Sequence, residues 1–235
     1  MSLRAAVFAS GRGTNFEVLA DAGAGREASN PPAKGKWVRR GRPRSWEVVL
    51  LVTDRAQAQA IERAKERGIP AVVVSPDEDP STFGSRLLSR LSEEGVDIVL
   101  LAGYLRLVPI EVVHEYPHRI LNIHPALLPG FGGKGLYGLR VHRAVLDSGA
   151  RISGVTVHFV DEEYDRGRIL AQWPVPVLSD DTQDTLAARV QEAEHLLYPV
   201  AVDALARAIA DGSPAEAIPE RSRHFVLSST LPRFP

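Results

Sequence analysis

The sequence predicts an α/β protein built on a doubly wound, mostly parallel sheet, and three observations lead to this fold class. Short apolar runs alternate with helix-length amphipathic segments along most of the chain. The run at 96–102 is almost unbroken, as expected of a strand buried on both faces. Glycine-rich or polar turns follow several of these runs, at the sheet edge where α/β proteins bind their ligands.

The individual elements follow in a regular order. Strands are predicted at 4–9, 46–53, 71–74, 96–102, 119–122, 152–160 and 169–177. Helices are predicted at 16–22, 56–67, 81–94, 109–116, 139–146 and 182–211. Thr14 or Asn15 is expected to cap the first helix, and Gly68 to end the second. Because proline cannot donate to a sheet ladder, Pro174 and Pro176 indicate that the last strand is an edge strand or ends there.

Composition narrows the class of protein. The 235 residues are 44% hydrophobic and 24% charged, which is enough for one large domain with a full core. The net charge of −1 gives no general attraction to nucleic acid or to an anionic membrane. The absence of cysteine excludes disulfides, cysteine metal sites and a thiol nucleophile. The sequence has neither a signal-peptide core nor an apolar run near the ~20 residues that cross a bilayer, so we expect a cytoplasmic protein.

Two segments interrupt the alternating pattern. Residues 23–45 are rich in glycine, proline, alanine and basic side chains. We expect a solvated, mobile insertion there, and a basic flap over an anionic ligand is the alternative. Residues 213–235 are expected to form a C-terminal tail across the surface. One domain over residues 1–212 is therefore predicted.

The turn SGRGTN (10–15) lies between the first predicted strand and the first predicted helix. Such a turn offers backbone N–H groups and a helix N-terminus to a phosphate. It lacks the Walker lysine, and Phe16 stands where the dinucleotide fingerprint has its third glycine. The turn alone leaves phosphate binding and a plain tight connection both open.

The segment ILNIHPALLPG (120–130) carries the strongest chemical signal. Residues i and i+2 of a strand point the same way, so Asn122 and His124 would share one side at the end of their strand. An amide donor and an imidazole suit a direct transfer through an oxyanionic tetrahedral intermediate. No G-x-S-x-G elbow, cysteine or obvious lysine nucleophile points to covalent catalysis. A purely structural histidine is the alternative.

Two other patterns resemble metal sites, and we expect no metal at either. His114 and His118 have the spacing of the zinc motif H-E-x-x-H, but Pro117 would break the helix that the motif requires. The acidic segment 161–167 fails the EF-hand spacing. It is expected to be a charged turn between two strands, or to place one carboxylate against His124.

Five segments together resemble the folate-dependent formyltransferases. Within that family, they resemble the branch that acts on glycinamide ribonucleotide. The resemblance implies a single Rossmann-like formyltransferase domain that transfers a formyl group from 10-formyltetrahydrofolate to glycinamide ribonucleotide in purine biosynthesis. It implies small-molecule partners and neither nucleic acid, membrane nor metal, and it leaves a homodimer open. The segments are SGRGTN (10–15), DIVLLAGYLRLVP (97–109), ILNIHPALLP (120–129), SGVTVHFVDEEYDRGRILAQWPVPV (153–177) and RVQEAEHLLYP (189–199).

The same resemblance implies roles for individual residues. Asn122, His124 and Asp165 fall on the catalytic trio of the family, and Asp165 would raise the pKa of His124 so that an imidazolium meets the oxyanion. The positions implied for the ribonucleotide are Gly13, Thr14, Asn15, Gln191 and Glu194. The positions implied for the pterin are Leu105, Arg106, Leu107, Val108, Asp161, Glu162, Glu163 and Tyr164.

The sequence departs from the family pattern in three places. The segments 23–45 and 130–140 are longer than usual, and no arginine stands at 79–81, where the family often binds the folate tail. Arg86, Arg90 and Arg106 are the candidate substitutes.

Other enzymes and a binding protein remain as alternatives. A sugar-nucleotide formyltransferase would share the trio, and a non-catalytic folate or nucleotide binder would need a broken one. A methionyl-tRNA formyltransferase is expected to need a further C-terminal domain, and a formyltetrahydrofolate deformylase an N-terminal regulatory domain. A nicotinamide dehydrogenase would need the third glycine.

Overall fold

The computed structural model describes residues 2–26, 45–210 and 212. The strands in this part of the chain are β1 (Leu3–Phe8), β2 (Trp46–Thr53), β3 (Ala71–Val73), β4 (Ile98–Leu101), β5 (Ile120–His124), β6 (Ile152–Phe159) and β7 (Ile169–Pro176). The helices are α1 (Thr14–Gly23), α2 (Ala60–Glu66), α3 (Phe83–Glu93), α4 (Ile110–Glu115), α5 (Leu139–Asp147) and α6 (Gln183–Ala210). The predicted insertion falls mainly on 27–44 and the predicted tail on 213–235, and both ranges lie outside the described residues.

The strands form one sheet in the order β3-β2-β1-β4-β5-β6-β7. β1 pairs in parallel with β2 and with β4, and β2 pairs in parallel with β3. β6 and β7 pair antiparallel, with Gly154 opposite Pro174. The predicted α/β class with a mostly parallel sheet is confirmed. β7 is an edge strand, as its prolines indicated.

Several boundaries differ from the predictions, and three of them lie close to the predicted site residues. The first helix begins at Thr14, and its N-cap is Gly13, so the prediction that Thr14 or Asn15 caps it was wrong. Gly13 has a left-handed φ of 74°, which glycine adopts without steric cost. The second helix begins only at Ala60, because 56–59 form a turn. β5 continues to His124, two residues beyond its predicted end.

The described residues divide into two compact units. The first unit comprises 2–26 and 45–121. Its core contains completely buried side chains from three parallel strands, among them Phe8, Leu51 and Leu100. Phe8 meets the ring of Tyr104 edge-on, with the ring centres 5.3 Å apart. These contacts hold the carboxyl ends of the strands in place and thereby position the turns that follow them.

The second unit comprises 122–210 and 212. Its long helix α6 packs against β6, β7 and α5. Arg189 joins this helix to the end of β7, since it donates to the Pro176 carbonyl over 2.9 Å and pairs with Asp181 over 2.7 Å. The Arg189 hydrogen bond holds the pKa of Asp181 well below its ordinary value, so this ion pair persists far into the acid range.

Within the described residues, no helix combines the length and the apolar character needed to cross a membrane. The prediction of one domain over 1–212 stays a prediction.

Candidate functional site

The carboxyl end of β5 and the turn after β6 bring together the three residues predicted as a catalytic trio. The Asp165 carboxylate lies 3.5 Å from His124, measured from Oδ2 to Nδ1. The Asn122 amide nitrogen lies 3.4 Å from the other carboxylate oxygen. Leu121 and Ile123, which alternate with the polar pair, are buried. The period of two along the strand therefore places the polar pair together, as predicted.

Backbone groups of the segment after β5 hold two members of this trio. The Phe131 carbonyl lies 2.9 Å from His124 Nε2, and the Gly133 N–H donates to Asp165 Oδ2 over 2.8 Å. Phe131 and Asp165 both have a φ of 56°, a left-handed conformation that is uncommon for residues other than glycine, above all for a bulky side chain such as that of Phe131. Such backbone outliers are concentrated at functional positions, where surrounding contacts hold them.

Burial, rather than Asp165, decides the direction of the pKa shift at His124. The ring is only 3% exposed, and this burial lowers the pKa of His124 below its ordinary value. Asp165 and the Phe131 carbonyl act in the opposite direction, and the neighbouring His158 ring adds to the lowering. Asp165 raises this pKa, as expected, but burial outweighs it, so the net shift does not favour the expected imidazolium. At pH 7 the His124 imidazole is mainly neutral.

Asp165 is ionised at neutral pH. Its burial alone would raise the pKa of the carboxyl, but His158, His124 and the Gly133 N–H together hold that pKa below its ordinary value. A neutral imidazole beside a carboxylate is the arrangement that stabilises an incoming proton on the ring.

His158 on β6 is part of the same cluster, although no sequence pattern pointed to it. Its Nε2 lies 3.0 Å from the Asn122 amide nitrogen and 3.5 Å from Asp165 Oδ1. Its Nδ1 lies 2.8 Å from the Phe159 carbonyl. The signal that could have found it is the alternation of β6, where the histidine occupies the face opposite to Val157 and Phe159.

A buried polar network fixes the turn that follows His124. The Thr156 hydroxyl donates to the Ala126 carbonyl over 2.7 Å and accepts from the Leu128 N–H over 3.0 Å. The Gln172 amide donates to the Leu128 carbonyl over 2.8 Å. Because every one of these groups is buried, the network gives the turn a single path and thereby a single orientation of the ring before it.

His142 on α5 is a buried histidine whose Nδ1 has no hydrogen-bond partner among the described residues. Burial, to which the neighbouring His124 ring adds, lowers the pKa of His142 to about 4. Protonation of this ring is therefore disfavoured in the folded chain and normal in the unfolded chain.

We expect the free energy of unfolding to lose on the order of 2 kcal/mol through His142 as the pH falls from about 6.5 to about 4. The folded pKa is the lower one, so this contribution is fully present above the unfolded pKa and disappears on acidification. Urea unfolding of the wild type and of His142→Gln across this range measures it. The variant should show a shallower decline, because it has no ring to protonate. Equal slopes for the two proteins would contradict the prediction.

The glycine turn predicted to bind a phosphate belongs to the first unit. Gly13 precedes α1, so Thr14 and Asn15 form the first residues of a helix, and helix N-termini commonly bind anions. On α2, Arg63 donates through Nε to the Arg12 carbonyl over 2.8 Å and also pairs with Glu17 of α1. The turn is thus supported by the hydrogen bond from Arg63 to Arg12 and by the ion pair between Arg63 and Glu17.

Ion pairs between α1 and α2 extend this support. Arg67 pairs with Glu17 over 2.6 Å and with Asp21 over 3.0 Å. The hydrogen bond with Asp21 is the main reason that the pKa of Arg67 is raised. The Arg67–Asp21 pair is mostly shielded from solvent, because each of its side chains is only 11% exposed. Breaking this pair therefore leaves a poorly solvated charge without that partner.

Gly13→Ala is expected to lower the free energy of unfolding by about 1–3 kcal/mol. A Cβ at this position would lie 2.6 Å from the Ala60 Cβ, and the left-handed φ adds strain to any L side chain. Gly11→Ala is the matched control, because a Cβ there meets nothing within 4 Å, and it should stay within about 0.5 kcal/mol of the wild type. Urea denaturation measures both, and equal losses would contradict the role of the Ala60 contact.

The positions implied for the pterin lie in two places. In the first unit, the Leu105 N–H donates to the Ser10 hydroxyl over 3.0 Å, which joins the loop after β4 to the turn after β1. Arg106 pairs with Asp54 over 3.2 Å and with Asp77 over 3.1 Å, so its guanidinium already has two carboxylate partners. Leu107 is 42% exposed, whereas Val108 is buried.

The remaining predicted positions belong to the second unit. The Asp161 carboxylate accepts the Glu163 N–H over 3.0 Å and closes the acidic turn, in which Glu162 and Glu163 are exposed and Tyr164 is half-buried. On α6, Glu194 is buried and Gln191, one turn before it, is half-buried. Residues three apart share a helix face, so these two side chains can contact one ligand.

The H-E-x-x-H letters do not form a metal site. α4 ends at Glu115, and His118 has a left-handed φ of 57°, so the two histidines do not share a helix face. In the part of the chain that is described, no group of three or more histidine, aspartate or glutamate side chains is arranged to hold a metal ion.

Comparison with known proteins identifies the family. Residues 3–202 match the formyl transferase family. The chain belongs to this family. A phosphoribosylglycinamide formyltransferase of Bacillus subtilis is 35% identical over 204 residues, which are 85% of this chain and 93% of the relative. A chloroplastic phosphoribosylglycinamide formyltransferase of Arabidopsis thaliana is 49% identical over 203 residues, which are 85% of this chain.

Two of the curated relatives are longer than this formyl transferase. The chain spans 64% of the Arabidopsis thaliana protein and 60% of a Vigna unguiculata protein of the same name, to which it is 46% identical over 85% of its own length.

Solved structures share the fold. Glycinamide ribonucleotide transformylase 1 of Symbiobacterium toebii has a TM-score of 0.76 and 37% identity, covering 88% of this chain and 89% of that one. Phosphoribosylglycinamide formyltransferase of Brucella melitensis has a TM-score of 0.73 and 38% identity, covering 88% of this chain and 96% of that one.

Proposed function

We propose that this formyl transferase moves the formyl group of 10-formyltetrahydrofolate to the amine of glycinamide ribonucleotide, a step of purine biosynthesis. The observation that carries the proposal is the cluster of Asn122, His124 and Asp165 at the end of β5, in a chain whose relatives and structural neighbours have this activity in their names.

The mechanism needs only groups of this cluster and the two substrates. The substrate amine attacks the formyl carbon, and negative charge develops on the formyl oxygen. Asn122 donates an N–H to that oxygen, as in other oxyanion holes. His124 is mainly neutral at pH 7, so it can accept the proton that the amine loses.

In the second half of the reaction, the imidazole ring of His124 gives up the proton that it accepted in the first half. The imidazolium form of His124 faces an acceptor at each nitrogen, the Phe131 carbonyl and the Asp165 carboxylate, and is thereby stabilised. When the bond between the formyl carbon and the folate nitrogen breaks, that nitrogen takes the proton from the ring, directly or through water. One C–N bond has formed, one has broken, and the proton has moved from amine to folate.

The binding roles are assigned from the resemblance and from local chemistry. We infer that the N–H groups at Gly13, Thr14 and Asn15 hold the ribonucleotide phosphate, as helix N-termini do. Gln191 and Glu194 would contact the rest of that substrate. The resemblance gives Leu105, Arg106, Leu107 and Val108 a role in pterin binding, and it gives the acidic turn 161–164 the same role. Residues 1–212 would form the catalytic domain, and the lack of cysteine fits the reducing cytoplasm as its compartment.

One assay tests the proposal directly. The pure protein is incubated with glycinamide ribonucleotide and 10-formyltetrahydrofolate, and release of the folate product is followed by its absorbance. We expect turnover that requires both substrates, with a reaction lacking the ribonucleotide as the control. No turnover here, together with turnover on a sugar-nucleotide amine, would contradict the proposed substrate. No turnover on either amine would contradict the activity itself.

A further inference from the structure

We propose that His158 is a positioning residue for formyl transfer, which orients the Asn122 amide so that one of its N–H groups is directed to the oxyanion. This inference rests on the function proposed above. His158 is 2% exposed and contacts the trio without being one of its members.

The surroundings of His158 fix which of its nitrogens carries the proton. Its Nδ1 lies 2.8 Å from the Phe159 carbonyl, which can only accept a hydrogen bond. Nδ1 is therefore the protonated nitrogen. In a neutral ring this leaves a lone pair on Nε2, so Nε2 is an acceptor.

The acceptor on His158 determines the orientation of the neighbouring amide. The Asn122 side-chain nitrogen lies 3.0 Å from Nε2, an ordinary hydrogen-bond length, and donates one N–H to it. An amide oxygen at the same place would face the lone pair of Nε2 and the Asp165 carboxylate, and both contacts would be repulsive. The ring thus selects one of the two orientations of the amide.

The second N–H of Asn122 is the one that remains for chemistry. Its contact in this structure is Asp165 Oδ1 at 3.4 Å, which is beyond the usual range for such a bond. A short bond to a developing oxyanion can replace that long contact at small cost. Without His158 the amide could turn about its terminal bond and present its oxygen, which would repel the oxyanion.

A direct hydrogen bond from His158 to Asp165 is the competing arrangement, and it is the contact through which His158 would lower the pKa of the Asp165 carboxyl. The distance between Nε2 and Oδ1 is 3.5 Å, longer than the contact with Asn122. A hydrogen bond to Asp165 would also need a proton on Nε2. In a neutral ring, Nδ1 would then face the Phe159 carbonyl without a proton. The geometry therefore favours the pairing with Asn122.

Two substitutions of His158 separate orientation from packing. His158→Leu fills the space without an acceptor, and we expect its kcat to fall about 10- to 100-fold while KM for each substrate changes less than about 3-fold. His158→Gln offers a side-chain oxygen as acceptor and should recover most of the loss. An unchanged kcat in His158→Leu would overturn the proposal, as would an equal loss in both variants.

The Asn122→Ala background provides the decisive comparison. Because His158 acts through Asn122, adding His158→Leu to Asn122→Ala should lower kcat by no more than about 2-fold further. If His158→Leu instead lowers kcat as much in that background as in the wild type, the residue acts by another route and the inference is wrong.

Nitrogen NMR of the ring gives a readout that does not need turnover. In protein with ¹⁵N-labelled histidine, His158 should show a proton on Nδ1 and none on Nε2, whereas a proton on Nε2 would overturn the pairing. Wild-type protein that has this tautomer but no activity on either amine would contradict the proposed function and leave the pairing of the side chains supported. Active wild type with an unaffected His158→Leu variant would contradict only the inference about His158.

Discussion

Replacing Asn122 by alanine is expected to lower the kcat of formyl transfer by about 10²–10³, the usual effect of removing one oxyanion donor. The loss should fall on kcat rather than on KM, because the oxyanion exists only along the reaction path. Steady-state kinetics with both substrates measures it, and thermal unfolding of the same samples verifies that the variant is folded.

Gln57→Ala is the matched control for this variant, because it removes the same chemical group from an exposed turn. It should leave kcat within about 2-fold of the wild type. An Asn122→Ala enzyme with nearly wild-type turnover would exclude the amide from the oxyanion hole and leave His124 as the main side chain of the mechanism.

Gly167→Ala is expected to lower both stability and turnover. The added Cβ would overlap the carbonyl oxygen of Phe159 and lie 2.8 Å from its carbonyl carbon, and a backbone atom at the end of β6 cannot move aside. The turn must shift instead, and it carries Asp165 only two residues earlier. We expect the free energy of unfolding to fall by about 2–4 kcal/mol, and kcat to fall at least 10-fold because the contact with His124 lengthens.

Gly130→Ala is the control within the same unit. Its Cβ would have an ordinary contact at 3.4 Å with the Leu127 carbonyl, so a small change in stability is expected. Urea denaturation and kcat are measured for both variants. If Gly167→Ala is as stable and as active as Gly130→Ala, the close approach of the turn to β6 has no role in holding Asp165.

The sequence was sufficient for the fold class because buried parallel strands produce apolar runs that are hard to mistake. The run that became β2 has the predicted bounds, Trp46–Thr53. The cap of α1 was mispredicted because side-chain preference favours threonine or asparagine, whereas the chain uses the left-handed backbone of Gly13. A Cβ at Gly13 would collide with Ala60, far along the chain, so the position requires glycine, and no local pattern reveals this.

The candidate site was predictable only in part. The pairing of Asn122 with His124 follows from the period of a strand, but Asp165 lies 41 residues after His124 and entered through the resemblance. The direction of the His124 pKa depends on how deeply the ring is buried, which no local pattern encodes. His158 was missed because its apolar neighbours on β6 already explained the strand.

The contacts between the segment after β5 and the trio come from main-chain atoms. The Phe131 carbonyl and the Gly133 N–H belong to the main chain, but both residues have a left-handed φ, of 56° and 103°, which restricts the side chains that keep this path. The hold on the imidazole and the carboxylate is therefore encoded in the conformation of the backbone. Substitutions at these positions would act on the trio through the path of the chain, and not through a lost side-chain contact.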